Sequence, residues 1–204
     1  MRDGLAQIGG DSECACGRYS FTSGGTDERL IAIYQAMERR YAGQYKTGEI
    51  FPGDTAPAVI RRENRIVAVP GVFGLPGFQG SRLLINARSE TAAEKRTFVE
   101  SLRQRRTIIA ATGFYEWSHD ENRTKYLFTV DASQVLYLCG LYQVIDGLYR
   151  FVILTRAANA SMEPVHNRMP VIVSAGDVRP YLTDYDAARE MLAAAAPELV
   201  RKAV

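Results

Sequence analysis

Cysteine, histidine and long apolar runs are scarce in this chain of 204 residues, and each scarcity excludes a class of protein. No apolar run reaches the roughly 18–20 residues that a membrane-spanning helix needs. The first 15 residues, MRDGLAQIGGDSECA, contain no apolar segment of the kind found in secretory signals. Three cysteines and two histidines are few for a zinc site, which takes about four ligands. We therefore expect a reduced, cytoplasmic protein without a metal and without a membrane partner.

The three cysteines stand in different surroundings. Cys139 lies in the apolar run VLYLCGLY, which predicts a buried side chain that acts as a small hydrophobe. Cys14 and Cys16 are only two positions apart, which is a poor spacing for an unstrained disulfide. Cys16 opens the stretch CGRYSF, and the residues alone leave it open whether this thiol is a nucleophile, a core residue or a ligand.

Composition places the chain among globular proteins without naming a partner. Hydrophobic residues make up 47% and charged residues 24% of the sequence, which is ordinary for a folded domain. The net charge of +2 neither demands nor excludes nucleic acid. No glycine-rich phosphate-binding motif is present. We expect a single domain across residues 16–204, preceded by an extension of residues 1–15.

Helical patterns lie near the two ends and in one central segment. Apolar residues at helical spacing predict a first helix across 25–43, capped by Thr26 or Asp27 and ended by Gly43. A capping-box spacing of Thr91 and Glu94 predicts a second helix across 91–106. The alanine-rich tail from Asp184 onward predicts a third helical region.

Strand patterns fill the rest of the chain. Candidate strands are AVIR, RIVAV, RLLINARSE, TIIAAT, FYEWS, KYLFTV, VLYLCGLYQVI, LYRFVIL and PVIVS. Asp146-Gly147 between two of them is a strong signal for a two-residue hairpin. Strand after strand without alternating helices indicates an α+β fold with a mainly antiparallel core, barrel-like or sandwich, and peripheral helices.

Four polar side chains stand in apolar surroundings and are candidates for chemistry. Glu116 lies in GFYEW among aromatic residues, where burial would raise its pKa into the range useful for acid–base work. The alternative is an exposed or paired carboxylate on the outer face of a strand. His166 in PVHNRMPVIV and Asn86 in INAR are the others, with Cys16. A structural histidine and a turn-forming asparagine are the competing interpretations; His119, in HDEN, reads as part of a surface turn.

The stretches CGRYSF, NARSET, GFYEW, ILTRAAN and PVHNRMPVIV, in this order, resemble the SOS-response-associated peptidase (SRAP) family. The resemblance runs from Cys16 to about Val173. It implies a DNA-damage response protein, monomeric and associated with the nucleoid when bound to DNA. Such a protein recognises abasic sites in single-stranded DNA and crosslinks to the opened sugar through an N-terminal cysteine, with possible strand-cleaving lyase activity. An α-amine and a thiol together close a thiazolidine ring on an aldehyde, and this chemistry needs no cofactor.

The resemblance also implies roles for individual residues. Cys16 would be the crosslinking nucleophile, Glu116 the proton shuttle, His166 an acid–base on the opened sugar, and Asn86 an orienting side chain. Contacts to DNA would come from Arg18, Arg88 and, more weakly, Arg168 and Arg96. Arg96 and Lys95 read equally well as a solvated helix face. In an extended segment Arg18 would share a face with Cys16.

The sequence departs from the family at two places. The usual Trp-Gly-Leu loop reads GVFGLPGF here, so that an exposed Phe73 would either stack on a base or only pack the loop. Ala15 precedes Cys16, and an internal cysteine has no free α-amine. Three explanations are open: translation starts at the codon of Ala15, the extension is cleaved off, or crosslinking has been lost. Self-cleavage by a thiol autopeptidase and non-catalytic binding of single-stranded DNA are therefore the alternative functions.

Overall fold

A computed structural model describes residues 16–22, 27–77, 82–130 and 135–204 of the chain. The extension 1–15 and the candidate cap Thr26 lie outside the described residues. Within the described ranges, no helix has the length and apolar character required to cross a membrane.

Four helices and thirteen strands make up the described part of the fold. The helices are α1 (Glu28–Tyr41), α2 (Val99–Gln104), α3 (Val178–Thr183) and α4 (Tyr185–Ala193). The first strands are β1 (Arg18–Phe21), β2 (Gly48–Ile50), β3 (Thr55–Arg62), β4 (Arg65–Phe73), β5 (Asn86–Arg88), β6 (Arg106–Ala111) and β7 (Gly113–Trp117). The remaining strands are β8 (Lys125–Thr129), β9 (Leu136–Ile145), β10 (Leu148–Ala157), β11 (Arg168–Pro170), β12 (Ile172–Val173) and β13 (Val200–Ala203).

Five strands close into a barrel in the order β10-β4-β3-β6-β9, because β9 also pairs with β10. All of these pairings are antiparallel except that of β10 with β4. Asp146 and Gly147 join β9 to β10 with φ values of 52° and 77°, the left-handed pair that a tight hairpin requires. The expected α+β fold with a mainly antiparallel, barrel-like core is confirmed.

A second sheet, in the order β13-β8-β7-β1-β2, packs its apolar side chains into the same core. Tyr19, Phe114 and Phe128 of this sheet are fully buried, and Tyr19 meets Phe73 of the barrel edge-on at 5.7 Å between ring centroids. A single apolar cluster therefore spans both sheets. This arrangement holds β1 and β7 against the barrel, and the candidate site is built on these two strands.

The structure corrects two expectations about helices. The second helix covers only Val99–Gln104, and turns precede it. Ala92 and Phe98 are both buried although a helix would point side chains six positions apart in different directions, so the chain must turn to bury both. After α4 the tail does not stay helical, because β13 pairs along the edge of β8. α1 is confirmed, with the Asp27 carboxylate accepting from the backbone N–H groups of Arg29 and Leu30.

Candidate active site

The pairing of β1 with β7 brings Cys16 and Glu116 into direct contact. Arg18 lies opposite Tyr115 in this antiparallel ladder, so that the chain before Arg18 runs alongside Glu116. The backbone N–H of Cys16 donates a hydrogen bond to Oε1 of Glu116. Cys16 is fully buried and Glu116 is 6% exposed. The contact joins the backbone nitrogen, rather than the thiol, to the carboxylate.

Alternation along β7 explains why Glu116 is buried. Phe114 and Glu116 point inward, whereas Tyr115 and Trp117 lie on the outer face. Burial raises the pKa of the Glu116 carboxyl from 4.5 to about 8, although the backbone N–H groups of Cys16 and Trp117 oppose the rise. The alternative of an exposed carboxylate on the outer face is therefore wrong, and the raised pKa favours the protonated form of the Glu116 carboxyl at neutral pH.

The thiol of Cys16 is also kept neutral. Burial raises its pKa well above the ordinary value of a cysteine, and the nearby Glu116 carboxylate adds to the rise. Cys16 has a φ of 58°, in the left-handed region that few residues with a side chain adopt. The expectation that Cys16 and Arg18 share one face of an extended segment is wrong, because this backbone turn buries Cys16 and leaves Arg18 on the outer face.

Asn86 begins β5, which pairs in parallel with β10 opposite Ile153. The residue before it, Ile85, lies against Gly17, where an added Cβ would be 3.8 Å from Cδ1 of Ile85. The segment that carries Cys16 therefore packs directly against the segment that carries Asn86. Cys16 and Asn86 are thus each one residue away from this contact between Gly17 and Ile85.

His166 is 3% exposed and is held by the strand that follows it. Its Nδ1 accepts from the backbone N–H of Arg168 at 2.9 Å, which favours a proton on Nε2. Within the described part of the chain, Nε2 has no hydrogen-bond partner. Burial lowers the pKa of His166, the hydrogen bond to the backbone of Arg168 raises it, and the nearby His119 and Arg168 side chains lower it further.

His119 is a neighbour that the sequence did not reveal. It lies three residues after Glu116 in the turn between β7 and β8, and its ring centroid is 5.4 Å from that of His166. The two histidines of the chain thus meet beside the end of β7. The surface-turn interpretation of His119 was right about its position, but only the tertiary fold shows its contact with His166.

Arg18 is the central member of a stack on the outer face of the second sheet. Its guanidinium lies 4.4 Å from the centroid of Phe51 and 4.6 Å from that of Trp117, and 3.5 Å from a carboxylate oxygen of Glu49. Lys125 extends the stack, 4.1 Å from the ring of Tyr115 and 5.6 Å from that of Trp117. We call Phe51, Arg18, Trp117, Lys125 and Tyr115 the aromatic–cation ladder; Arg18 was expected, and the rest was not.

Two other arginines expected to contact DNA are Arg88, whose side chain is exposed, and Arg168, which pairs with Glu90. Arg88 ends β5 with an exposed side chain and forms no ion pair with any described residue. Arg168 instead forms two hydrogen bonds to the Glu90 carboxylate, at 2.7 and 2.8 Å, and one to the carbonyl of Thr155. Hydrogen bonding to Arg168 lowers the pKa of Glu90 to about 2. The guanidinium of Arg168, expected to contact DNA, is thus already paired with anionic and carbonyl groups of the protein itself.

Two further candidates lie apart from this centre. Phe73 ends β4 with no exposed surface, stacked on Phe151 at 5.3 Å between centroids. The expectation of an exposed ring is wrong, and a buried ring cannot stack on a base. Arg96 lies in the turns before α2 rather than on a helix, beside Arg105 in a separate pocket. In the described ranges, no group of three His, Cys, Asp or Glu side chains is placed to hold a metal ion.

Known proteins are similar to this chain in sequence and in fold. The model of the SOS response associated peptidase (SRAP) family matches residues 15–203. The abasic site processing protein YobE of Bacillus subtilis is 36% identical over 120 residues, which cover 53% of this chain and 55% of that protein. The chain thus spans about half the length of the first curated relatives that it matches.

Two longer matches agree with this assignment. The abasic site processing protein YoaM of Bacillus subtilis is 33% identical over 172 residues, covering 78% of this chain and 75% of that protein. A crystal structure of a protein from Bordetella bronchiseptica superimposes with a TM-score of 0.72 at 23% identity, covering 93% of this chain and 99% of that chain, and shows the same fold. Since the family model matches nearly all of the described residues, the chain belongs to the SOS response associated peptidase family.

Proposed function

We propose that this protein responds to DNA damage by recognising abasic sites in single-stranded DNA and bonding covalently to the sugar aldehyde through Cys16. Relatives that are named abasic site processing proteins support the substrate. The contact between the backbone nitrogen of Cys16 and the Glu116 carboxyl is the observation that carries the chemistry. The protein acts in the cytoplasm as a monomer and joins the nucleoid when it binds DNA.

The reaction requires two nucleophiles from one residue. The free α-amine of Cys16 adds to the aldehyde carbon, and water then leaves to give an imine. The thiol adds across the C=N bond, its proton passes to the nitrogen, and a five-membered thiazolidine closes. Both nucleophiles sit on one residue, so ring closure has the high effective concentration of an intramolecular step.

Glu116 suits the proton transfers that this sequence needs. With a pKa of about 8, its carboxyl favours the protonated form at neutral pH and can give its proton to the departing hydroxyl, which then leaves as water. As a carboxylate it can take a proton from the amine, which lies within hydrogen-bonding distance of Oε1. His166, with one ring nitrogen held by Arg168, acts as acid–base on the opened sugar, and Asn86 orients the reacting groups.

Single-stranded DNA is the partner that the outer face suits. Arg18 and Arg88 hold phosphates that flank the lesion. Proteins that bind single strands combine cationic side chains with aromatic rings on which bases stack. The aromatic–cation ladder has both, with Arg18 between the rings of Phe51 and Trp117.

A second activity is favoured by the same contact. In a chain that continues before Cys16, the nitrogen bonded to Glu116 is the atom that leaves when the Ala15–Cys16 peptide bond breaks. Attack of the Cys16 thiol on the carbonyl carbon of Ala15 would break the C–N bond and form a thioester, while Glu116 gives its proton to the departing nitrogen and takes up the thiol proton in return. Water would then hydrolyse the thioester to a carboxylate on Ala15 and the free thiol of Cys16. The protein would thus act as a peptidase on itself and release the α-amine that crosslinking needs.

The main test uses protein whose first residue is Cys16 and a single-stranded oligonucleotide with one abasic site. A product that survives a denaturing gel is expected, and Cys16→Ala should abolish it. The full chain from Met1 is the matched control: before cleavage it should bind the oligonucleotide without forming the product. Absence of a product with intact protein that begins at Cys16 would refute the proposal and leave non-covalent binding.

Self-cleavage is tested separately by intact-mass spectrometry of the full chain. A species that begins at Cys16 should accumulate with time, and Cys16→Ser and Glu116→Gln should slow its appearance. An unchanged mass over several days would rule out self-cleavage under these conditions without touching the crosslinking result.

A further inference from the structure

A cavity that shares no lining residue with the Cys16–Glu116 centre is lined by two arginines. Its volume is about 300 Å³, and the residues used below are Arg96, Arg105, Ser101, Glu100 and Gln143. We call it the arginine pocket. It lies between the turns before α2, the end of α2 and the end of β9. Neither Cys16 nor any other residue of the candidate active site lines it.

The backbone around the arginine pocket is fixed by hydrogen bonds to β9. The side-chain amide of Gln143 donates to the carbonyl of Thr97 at 2.8 Å and so ties the turn that carries Arg96 to this strand. The backbone N–H of Tyr142 donates to the carbonyl of Arg105, also at 2.8 Å. Both arginines therefore start from anchored positions on either side of one short stretch of strand.

Two buried polar atoms at this pocket have unmet hydrogen bonds. Ser101 is 1% exposed, and its hydroxyl has no hydrogen-bond partner in the described part of the chain. The same holds for Nε of Arg105. Buried polar groups nearly always have partners, and leaving one unmatched costs about 1–3 kcal/mol. The unmet set is a hydroxyl and a guanidinium N–H, both of which donate to oxygen.

The charges point to an anion as the missing partner. Among the described residues, neither Arg96 nor Arg105 forms an ion pair. Glu100 also lines the pocket, so that two positive charges face one negative charge. An anion with several acceptor oxygens satisfies two guanidinium groups and a hydroxyl together, and phosphate is an anion that arginine side chains bind in this way.

We propose that the arginine pocket is a binding site for a phosphate group, held by Arg96, Arg105 and the hydroxyl of Ser101. The group is either a free phosphate anion or a phosphodiester of bound single-stranded DNA, and only the second source rests on the proposed function. The segment after Arg88 leads directly into the turns that carry Arg96, which places the pocket next along the chain from the exposed end of β5.

The first test titrates inorganic phosphate into the full chain and follows the backbone and arginine Nε–H signals by NMR. Saturable shifts at Ser101 and Arg105 are expected. Arg105→Gln should weaken binding roughly tenfold, the effect of losing one charge-assisted hydrogen bond. Arg103→Gln, which changes an exposed arginine of the same helix, should leave the affinity unchanged.

The second test separates the two sources with an undamaged single-stranded oligonucleotide, which cannot crosslink. If DNA supplies the phosphate, Arg105→Gln should weaken this binding and lower the salt-dependence slope by about 0.7. If only inorganic phosphate binding changes, the pocket serves a free anion. The absence of saturable phosphate shifts in the folded wild-type chain would overturn the proposal. Crosslinking of abasic DNA by protein that begins at Cys16 is measured in a separate experiment, and its result does not depend on phosphate binding in the arginine pocket.

Discussion

Glu116 shows what one buried carboxyl does to a protein of this kind. The fold keeps it at 6% exposure and raises its pKa to about 8, so that the folded protein retains a proton there which the unfolded chain releases at much lower pH. An acid with a raised pKa lowers stability as the pH rises from its unfolded to its folded value. The residue that suits proton transfer therefore also weakens the fold.

Replacing Glu116 with Gln should reverse this cost. Between pH 4.5 and about 8 the free energy of unfolding of the wild type should fall, relative to the variant, by up to about 1.4 kcal/mol per pH unit. Urea unfolding at several pH values measures the difference. The same variant, beginning at Cys16, should crosslink abasic DNA about 100-fold more slowly, the scale of general acid–base catalysis. Parallel stability curves for the two proteins would contradict the buried, protonated carboxyl.

The contact between the two histidines has a separate consequence. Burial is the main reason for the lowered pKa of His166, and the nearby His119 contributes. His119→Asn should therefore raise the pKa of His166, and NMR titration of the ring protons measures it directly. Any effect of His166 on the pH profile of DNA processing should move in the same direction. An unmoved His166 signal would mean that the ring contact at 5.4 Å has no electrostatic effect.

At the scale of elements, one arginine side chain caps the C-terminal ends of two helices. Arg106 is 4% exposed, and its guanidinium donates to the carbonyls of Leu102 and Arg103 at the end of α2 and of Tyr181 and Leu182 at the end of α3. Each helix is only six residues long, and these carbonyls are half of the last four, which have no partner within the helix. A buried charge of this kind is tolerated because four backbone carbonyls accept hydrogen bonds from it.

Arg106→Met should lower the free energy of unfolding by about 3 kcal/mol, since it leaves several carbonyls without a donor. Chemical denaturation measures the change. The matched control is Arg103→Met on the solvent side of α2, which should alter stability by less than about 0.5 kcal/mol. Equal effects of the two substitutions would mean that the carbonyl contacts of Arg106 contribute little.

The sequence predicted those elements that depend on residues close together in the chain. The cap at Asp27, the hairpin at Asp146-Gly147 and the strands around GFYEW follow from residues close in sequence. β13 did not follow, because VRKA is extended only through its pairing with β8. The same reason applies at the site: the aromatic neighbours of Glu116 suggested burial as one of two interpretations, whereas the contact of His119 with His166 joins residues 47 positions apart.

For the whole molecule, the shared core decides how the protein unfolds. Buried residues of the barrel and of the second sheet form one apolar cluster, with Tyr19 against Phe73 at the junction. Among the residues that the structure describes, neither sheet has a separate apolar core to keep it folded alone. This is the physical basis for expecting residues 16–204 to behave as a single domain.

One tryptophan makes this testable. Trp117 is the only tryptophan of the sequence and lies in the second sheet, so its fluorescence reports on that sheet. The far-ultraviolet circular dichroism signal comes from the strands of both sheets. Fluorescence and circular dichroism should therefore give the same midpoint in urea, as a single cooperative transition does. Two separated midpoints would show that the barrel and the second sheet unfold independently.

The left-handed backbone of Cys16 has a consequence for the energetics of processing. A φ of 58° is defined only when a residue precedes Cys16, and holding a side-chain-bearing residue there costs about 1–2 kcal/mol. A chain that begins at Cys16 has no such dihedral and therefore no such cost. In the proposed self-cleavage, loss of the preceding residues would remove this conformational cost.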